Sequence, residues 1–210
     1  MIRVFIADDH PLTRRGIKQT LDDAGDILVC GEADSGREVM KAVMDIDFDV
    51  LVLDVVMPDG GGFEVLDQLK SYSLDFYTIV LSMYPEEQYA LRALKAGASG
   101  YLTKDKVPEE LIVAIRKVVT GGKFITSSLA ERLAFEISGE KSEDPHEILS
   151  NREFQVMYLI ASGRTLTEIA NELSLSIKTI STYRTRILKK LGLRNTTEII
   201  RYAFKNKIVE

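Results

Sequence analysis

Three aspartates within the first 54 residues could together hold a divalent cation. Asp8 and Asp9 follow a short apolar run at residues 2–7, and Asp54 follows another at residues 49–53. Three carboxylates that lie side by side repel one another, and a hard cation with oxygen ligands, such as Mg²⁺, relieves that repulsion. Taken singly, an aspartate at the end of a strand more often caps a helix or a turn.

Two further side chains suit the recognition of a phosphoryl group. Ser82 ends an apolar run at residues 76–81, and Lys104 follows a run at residues 98–102. A serine hydroxyl donates to a phosphoryl oxygen, and a lysine ammonium supplies a point charge suited to phosphate. A carboxylate nucleophile, a metal ion and two oxygen-holding groups together describe phosphoryl transfer to an aspartate.

The elements that must position these residues are read from alternating apolar and amphipathic segments in residues 1–120. The apolar runs lie at 2–7, 27–33, 49–53, 76–81 and 98–102. The helix-like segments lie at 11–23, 36–46, 62–71, 86–96 and 108–120. Five strand–helix units predict an α/β domain with a parallel sheet and helices on both faces. Such a sheet places its chemistry at the carboxyl ends of the strands, where the residues named above would meet.

Residues 1–120 resemble the receiver domain of two-component signalling. The resemblance rests on the motifs Asp8-Asp9-His10-Pro11-Leu12, Leu53-Asp54-Val55-Val56-Met57-Pro58 followed by Asp59-Gly60-Gly61-Gly62, and Gly97-Ala98-Ser99-Gly100-Tyr101-Leu102-Thr103-Lys104. It implies a flavodoxin-like fold whose five-stranded parallel sheet has the order 2-1-3-4-5. It also implies that a sensor histidine kinase supplies the phosphoryl group.

The resemblance assigns a role to each residue at the predicted sheet edge. Asp54 would be the phosphoacceptor, and Mg²⁺ would be held by Asp9, Asp54 and the carbonyl of Val56. Asp8 would act on the metal directly or through water. The phosphoryl oxygens would be contacted by Ser82 and Lys104. Tyr101 would be the aromatic residue that turns inward as the Ser82 hydroxyl moves toward the phosphate.

Two neighbours of the aspartates lead to separate expectations. We expect His10 to cap a helix or to pack locally rather than to catalyse. Val56, two residues after Asp54, has no side-chain group that could orient an attacking water, so we hypothesise slow self-dephosphorylation. An enzyme with an aspartyl-phosphate intermediate would need an acid–base carboxylate at that place, and this favours a regulator over an enzyme.

Charge is divided unevenly along the chain. The net charge is −5, but residues 148–210 carry 11 Lys and Arg against 5 Asp and Glu, whereas the preceding residues carry 16 against 27. The resulting charges of +6 and −11 indicate that only the second part meets a polyanion, and the two parts are hypothesised to attract each other in the inactive state. Residues 139–147 are polar and predict a linker, after a short helix at 127–138.

These patterns divide the chain into a receiver domain at 1–122, a linker with a short helix at 123–147, and a second domain at 148–210. No apolar run approaches the roughly 20 residues of a membrane helix, and the first residues are too short for a signal-peptide core. We therefore expect a cytoplasmic protein without a membrane partner. The single cysteine, Cys30, excludes an internal disulfide.

The second domain predicts four helices, at residues 151–162, 166–173, 177–191 and 196–205. Ser150 and Glu153 have the spacing of a capping box. On the third helix we expect an apolar face to pack inward, formed by Ile177, Ile180, Ile187, Leu188 and Leu191. Another face carries hydroxyls and lysines suited to base edges and phosphates. Its residues are Lys178, Ser181, Thr182, Thr185 and Lys189. The alternative is that this face is simply the solvated side of a bundle helix. Apolar residues of the fourth helix face either a partner surface or the core: Ile199, Ile200, Tyr202, Ala203 and Phe204.

Residues 149–202 resemble the helix-turn-helix output domain of the NarL/FixJ family, also called LuxR-type. The matching positions are Leu149-Ser150-Asn151-Arg152-Glu153, Ala161-Ser162-Gly163-Arg164, Glu168-Ile169-Ala170, Leu173, Ser176, Thr179-Ile180, Lys190-Leu191-Gly192 and Arg194-Asn195. The resemblance implies a phosphorylation-dependent transcription factor that binds paired half-sites in double-stranded promoter DNA as a homodimer. The implied DNA contacts are Lys178, Thr179, Ser181, Thr182, Tyr183, Thr185 and Lys189.

The recognition helix lacks the lysine and the histidine that are common in the family. Where the family commonly has Thr-Val-Lys-x-His, this chain has Thr179-Ile180-Ser181-Thr182-Tyr183. Base preference is therefore not carried over from the family, and the smaller number of lysines predicts a shallower salt dependence of binding. A regulator whose second domain binds a protein instead of DNA stays open as an alternative.

Overall fold

The computed structural model describes residues 1–58, 61–72, 75–137 and 145–209. The chain divides into two compact units, the first of which ends at Ile137. Residues 123–137, which lie in the predicted linker, belong to the first unit, and the predicted domain boundaries stay a prediction. Some of the predicted features lie outside the described residues. These are Asp59 and Gly60 of the second motif, the end of the predicted helix at 127–138 and most of the predicted linker.

The first unit is built on a five-stranded parallel sheet with the order β2-β1-β3-β4-β5. Its strands are β1 (Ile2–Ala7), β2 (Ile27–Ala33), β3 (Val50–Asp54), β4 (Tyr77–Ser82) and β5 (Gly100–Thr103). Its helices are α1 (Pro11–Asp22), α2 (Gly36–Asp45), α3 (Gly62–Leu69), α4 (Glu86–Lys95), α5 (Val107–Val119) and α6 (Ser127–Ile137), with a 3-10 turn at Lys104–Lys106. The α/β class and the strand order predicted from the sequence are confirmed, and every predicted element end among these residues lies within two residues of the observed one.

The register of the sheet places the polar strand ends side by side. Asp54 is the last residue of β3 and pairs with Leu81 of β4, and Ser82 pairs with Thr103 of β5. Every residue of β3 is buried because helices cover both faces of the central strands. The chemistry-bearing side chains can therefore emerge only where the strands end.

The segment that follows α5 is attached to the edge of the sheet. Phe124 forms an isolated bridge with Gly100 of β5. At the start of α6, the Thr126 hydroxyl donates to Glu86 of α4 at 2.5 Å and accepts from the Leu129 amide. The first helix beyond α5 is thus tied to the first turn of α4.

Within residues 145–209, the second unit contains four helices after a 3-10 turn at Pro145–Ile148. They are α7 (Asn151–Ala161), α8 (Leu166–Glu172), α9 (Ile177–Leu191) and α10 (Thr196–Lys205). Each begins with a side chain that accepts a hydrogen bond from the backbone N–H three residues on: Ser150, Thr165, Ser176 and Asn195. The capping box predicted for Ser150 and Glu153 is confirmed. None of the helices in the described ranges is long and apolar enough to span a bilayer.

For the apolar residues of this unit, one prediction requires correction and one open alternative is decided for two residues. Ile180 and Ile187 are fully buried, but Ile177 is 51% exposed. The prediction that Ile177 packs inward is wrong because three residues of helix rotate it about 60° from Ile180, to the edge of the buried face. On α10, Ile199 and Ala203 are fully buried, since α10 packs on α7, so the core alternative holds for both.

Candidate functional site

The carboxyl ends of β1 and β3 bring the three predicted carboxylates together. One ligand atom each of Asp8, Asp9, His10 and Asp54 lies within 4.8 Å of the others. Asp8 and Asp54 are buried, whereas Asp9 is partly exposed and His10 is exposed. The cluster is therefore open to solvent on the side of Asp9 and His10.

Lys104 completes this cluster from the end of β5. Its Nζ lies 2.6 Å from Asp8 Oδ2 and 2.7 Å from Asp54 Oδ2. Burial raises the pKa of Asp54 to about 6, with Lys104 opposing the rise and the charge of Asp8 adding to it. Burial lowers the pKa of Lys104, but the two carboxylates outweigh that effect and hold it above its ordinary value. Lys104 therefore stays charged and balances part of the buried negative charge.

The cluster has the donor set that a divalent cation needs. Asp9 Oδ1 is buried and accepts no hydrogen bond from the residues that the structure describes. His10 Nδ1 lies 2.7 Å from that oxygen, a distance at which a protonated imidazole attracts it, but no hydrogen bond joins them. Carboxylate oxygens suit hard cations such as Mg²⁺. Val56 is half-buried beside the cluster, and its amide donates to Asp54 Oδ1 at 3.2 Å.

His10 occupies the N-cap position of α1, and its carbonyl accepts from the Arg14 amide. Its side chain makes no capping hydrogen bond. Its backbone N–H donates to Asp8 Oδ1 at 2.7 Å, and its ring faces Asp9. His10 therefore has the predicted cap position, although its side chain does not cap the helix and is largely exposed beside Asp9.

Ser82, Tyr84 and Tyr101 form a chain of hydrogen bonds at the end of β4. Ser82 is fully buried, and its Oγ accepts from the Tyr84 amide at 2.9 Å. The Tyr101 side chain is turned into the protein, and its hydroxyl donates to the Tyr84 carbonyl at 2.9 Å. Burial raises the pKa of Tyr101 above its ordinary value, and hydrogen bonding with Ser82 opposes that rise. Tyr84 in turn stacks on Tyr89 of α4, with ring centroids 4.7 Å apart.

Sequence reasoning assigned no role to three residues of this site. Arg14 donates to the Asp8 carbonyl at 2.5 Å, and Tyr84 links the Ser82 and Tyr101 side chains. A Cβ atom at Gly62 would lie 2.3 Å from the Asp54 carbonyl oxygen, so this position requires glycine. The glycine run after Asp54 was a usable signal for Gly62, whereas the roles of Arg14 and Tyr84 depend on hydrogen bonds that no local pattern shows.

The predicted DNA contacts lie on α9, the second helix of the helix-turn-helix. The exposed ones are Lys178, Thr182, Thr185 and Lys189. The half-exposed ones are Thr179, Ser181 and Tyr183. Arg186 is exposed as well, and its guanidinium carbon lies 6.0 Å from the centroid of the Tyr183 ring. Sequence reasoning missed Arg186, although its position four residues after Thr182 was a sufficient signal.

An ion pair holds the far end of α9 in place. Lys190 Nζ lies 2.6 Å from Glu153 Oε2 at the start of α7 and 3.3 Å from the Ile148 carbonyl. Burial raises the pKa of Glu153, but hydrogen bonds from Lys190 and from the Ser150 amide outweigh it and bring the pKa below its ordinary value. The orientation of α9 is thereby tied to the capping box of α7.

A parallel sheet with an acidic rim, followed by a capped helix-turn-helix unit, defines a response regulator. The chain matches the family "Response regulator receiver domain" over residues 4–116 and the family "Bacterial regulatory proteins, luxR family" over residues 147–203. The protein therefore belongs to the response regulators of the NarL/FixJ family. Both matched families are regulatory, so the expectation of a regulator rather than an enzyme is confirmed.

Individual relatives match the chain over nearly its whole length. The response regulator UvrY of Escherichia coli K12 is 37% identical over 207 residues, which cover 98% of this chain and 95% of UvrY. RcsB of Salmonella enterica serovar Typhimurium, bound to promoter rprA with the phosphomimetic BeF3−, is 30% identical, with a TM-score of 0.63 and coverage of 96% and 98%. A structure of two RcsB dimers bound to two parallel DNAs is also 30% identical, with a TM-score of 0.59 and 96% of both chains covered.

Proposed function

We propose that a sensor histidine kinase phosphorylates this protein on Asp54, and that the phosphorylated protein binds promoter DNA through α9 as a homodimer. The observation that carries the proposal is the position of the Asp54 carboxylate, which lies within hydrogen-bonding distance of Lys104 at the rim that it shares with Asp8, Asp9 and Ser82. The cytoplasm is the proposed location because promoter DNA is there.

The ionised carboxylate of Asp54 is the proposed nucleophile. Its pKa of about 6 leaves it mostly charged at neutral pH. Its oxygen attacks phosphorus, and the bond between phosphorus and the kinase histidine breaks, so that the imidazole leaves. Lys104, which holds an Asp54 oxygen at 2.7 Å, stands ready to contact an oxygen of the arriving phosphoryl group.

Mg²⁺ is the proposed metal of this site. It would be held by Asp9, Asp54 and the Val56 carbonyl, with Asp8 directly or through water. The buried Asp9 oxygen that lacks a described hydrogen-bond donor supports this choice. When bound, the ion would neutralise charge on the phosphoryl oxygens.

Ser82 and Tyr101 are the proposed switch residues. In the present arrangement the Ser82 hydroxyl accepts from the Tyr84 amide and Tyr101 is already inward. Phosphorylation adds a charge of about −1.5 to −2 at Asp54. A Ser82 hydroxyl drawn toward that charge would leave the Tyr84 amide and carry the β4–α4 connection with it.

DNA binding is supported by the exposed, basic and hydroxyl-rich face of α9. One RcsB structure holds promoter DNA and another holds RcsB dimers on DNA. For this chain we propose that a dimer binds two half-sites. Lysines at both ends of the face, Lys178 and Lys189, suit phosphates, and the hydroxyls between them suit base edges.

A binding selection from fragmented genomic DNA tests both steps at once. The full chain is incubated with and without acetyl phosphate and Mg²⁺, and Asp54→Asn serves as the matched control. DNA enrichment only with the donor, and its loss in the variant, is the expected result. Equal enrichment in all samples would refute gating by Asp54. Enrichment in none would refute DNA binding and favour a protein partner.

A slow loss of phosphate is proposed as well, because the Val56 side chain cannot orient water. Its side chain has no hydrogen-bonding group, and its amide is already directed at Asp54. Introducing an amide by Val56→Asn should shorten the phosphate half-life, measured on the isolated phosphoprotein. Equal half-lives would show that position 56 does not limit hydrolysis.

A further inference from the structure

Two threonines at the centre of the exposed α9 face have their hydroxyl protons engaged inside the helix. Thr182 Oγ1 donates to the Lys178 carbonyl at 2.9 Å, and Thr185 Oγ1 donates to the Ser181 carbonyl at 3.0 Å. A carbonyl oxygen only accepts, so each hydroxyl has lone pairs and a neighbouring methyl group left for a ligand. Both threonines therefore present acceptors outward and no donor.

This arrangement has a consequence for base recognition. The major-groove edge of guanine presents only acceptors, N7 and O6, and is read best by a side chain with two parallel donors. Thr182 and Thr185 cannot supply them in their present hydrogen bonds. Lys178 and Lys189 are single-point donors near the two ends of the face. Of the side chains on this face, a guanidinium offers the planar pair of donors that matches guanine O6 and N7 best.

Arg186 is the arginine of α9 that occupies the correct face. It lies four residues after Thr182 and three before Lys189, so it borders both on the helix surface, rotated about 40° from Thr182 and about 60° from Lys189. It is exposed, whereas the Nε of Arg184, the other arginine of α9, is buried. The ring of Tyr183 lies 6.0 Å from the Arg186 guanidinium carbon, the range at which a cation and an aromatic face attract.

We propose that Arg186 reads one guanine in each half-site by paired hydrogen bonds to O6 and N7, and that Tyr183 is a positioning residue that orients its guanidinium. The inference rests on the proposed DNA binding of α9 and specifies which base that face selects. Lysine is not a conservative replacement in this role, because it keeps the charge but not the planar pair of donors.

The test compares sequence preference with general affinity in the full chain. A random-sequence duplex pool is selected with the wild-type protein in the presence of acetyl phosphate and Mg²⁺, and the selected and random duplexes are then titrated by anisotropy over a salt series. In Arg186→Lys, the guanine preference should disappear at one position of each half-site. Affinity for the selected duplex should fall roughly 5- to 150-fold, while affinity for random duplex and the salt slope stay unchanged.

Three further variants separate the possible origins of an effect. Lys189→Ala, on the same face, should weaken selected and random duplexes alike and reduce the salt slope by about 1. Tyr183→Leu should weaken the same guanine preference as Arg186→Lys, and Tyr183→Phe should retain it because the ring remains. Thermal unfolding of each variant checks that α9 stays folded.

Each contrary outcome is recognisable. Retention of the guanine preference in Arg186→Lys would overturn the assignment. Arg186→Ala could instead lose affinity for all duplexes equally, with a smaller salt slope and an intact guanine preference. That result would identify Arg186 as a phosphate contact and would also overturn the assignment. Failure of the wild-type protein to bind any duplex would overturn the proposed function itself, and the inference with it.

Discussion

Gly62, the first residue of α3, lies directly against the backbone that carries Asp54. A Cβ atom at this position would stand 2.3 Å from the Asp54 carbonyl oxygen and 3.0 Å from the Asp54 carbonyl carbon and the Val55 Cα. All three are backbone atoms, so no flexible side chain can move aside. The Gly62 amide also donates to the Val55 carbonyl at 2.9 Å, which holds the two segments together.

The substitution Gly62→Ala should displace the Asp54 carboxylate. Reaching a distance of 3.0 Å, which is still a tight contact, requires a movement of roughly 0.7 Å from 2.3 Å. A misplacement of about 1 Å in a reacting group lowers rates by about 100-fold. We therefore expect phosphorylation to slow roughly 10- to 100-fold, with an overpacking cost of about 1–3 kcal/mol in the free energy of unfolding.

Gly16→Ala provides the matched control, since it makes the same change in another helix of the same unit. No atom lies within 4 Å of the position that a Gly16 Cβ would occupy. Alanine is the better helix former, so this variant should gain about 0.5–1 kcal/mol of stability. Its rate of phosphorylation by acetyl phosphate should equal that of the wild type.

The assay follows the formation of phosphoprotein by intact mass under saturating Mg²⁺, together with urea unfolding of each variant. We expect the two alanine variants to change stability in opposite directions, and only Gly62→Ala to be phosphorylated slowly. A Gly62→Ala protein with wild-type stability and a wild-type phosphorylation rate would refute the claim that this glycine positions Asp54.

Three more perturbations test the electrostatics and the backbone. In EDTA at pH 7.5, Asp54→Asn should stabilise the receiver by up to roughly 3 kcal/mol, because burial raises the Asp54 pKa from 3.8 to about 6. A carboxyl group whose pKa is raised by folding destabilises the fold fully above about pH 6 and not at all below its ordinary pKa. The stability gain from Asp54→Asn should therefore vanish as pH falls to about 4. A gain in the free energy of urea unfolding that is the same at every pH would contradict this explanation. Lys190→Met should destabilise the second unit by about 1–2 kcal/mol at pH 7, since it leaves the buried Glu153 without its cation and Lys190 itself is partly exposed. Because the ion pair lowers the Glu153 pKa, the loss of stability should shrink as pH falls toward 4. Hydrogen exchange in α7 and α9 that is unchanged from wild type would argue against a stabilising role for the pair. Ser174→Gly should raise the unfolding free energy by about 1 kcal/mol, because Ser174 has a φ of 53°, and an equal or lower value would show that this conformation carries no strain.

Much of the receiver could be predicted because its signals are local. Five apolar runs of strand length and the amphipathic segments between them specify the elements, and the handedness of parallel connections leaves few topologies. Asp8, Asp54, Ser82 and Lys104 each sit at or just beyond the end of a run, so their meeting follows once the strands lie side by side. The helix caps are equally local, since Ser150 and Glu153 are three residues apart.

Contacts between distant residues, and the direction of each side chain, were decided only by the tertiary structure. Lys104 spans 96 residues to pair with Asp8, and the Tyr101 hydroxyl ends on a backbone carbonyl of Tyr84 that no sequence pattern marks. Helical periodicity placed Ile177 near the core but could not show that it lies at the edge of the packed face. The physical reason is the same in each case. A pattern specifies which face of an element is apolar, whereas strand register, packing and rotamers determine which atoms come within hydrogen-bonding reach.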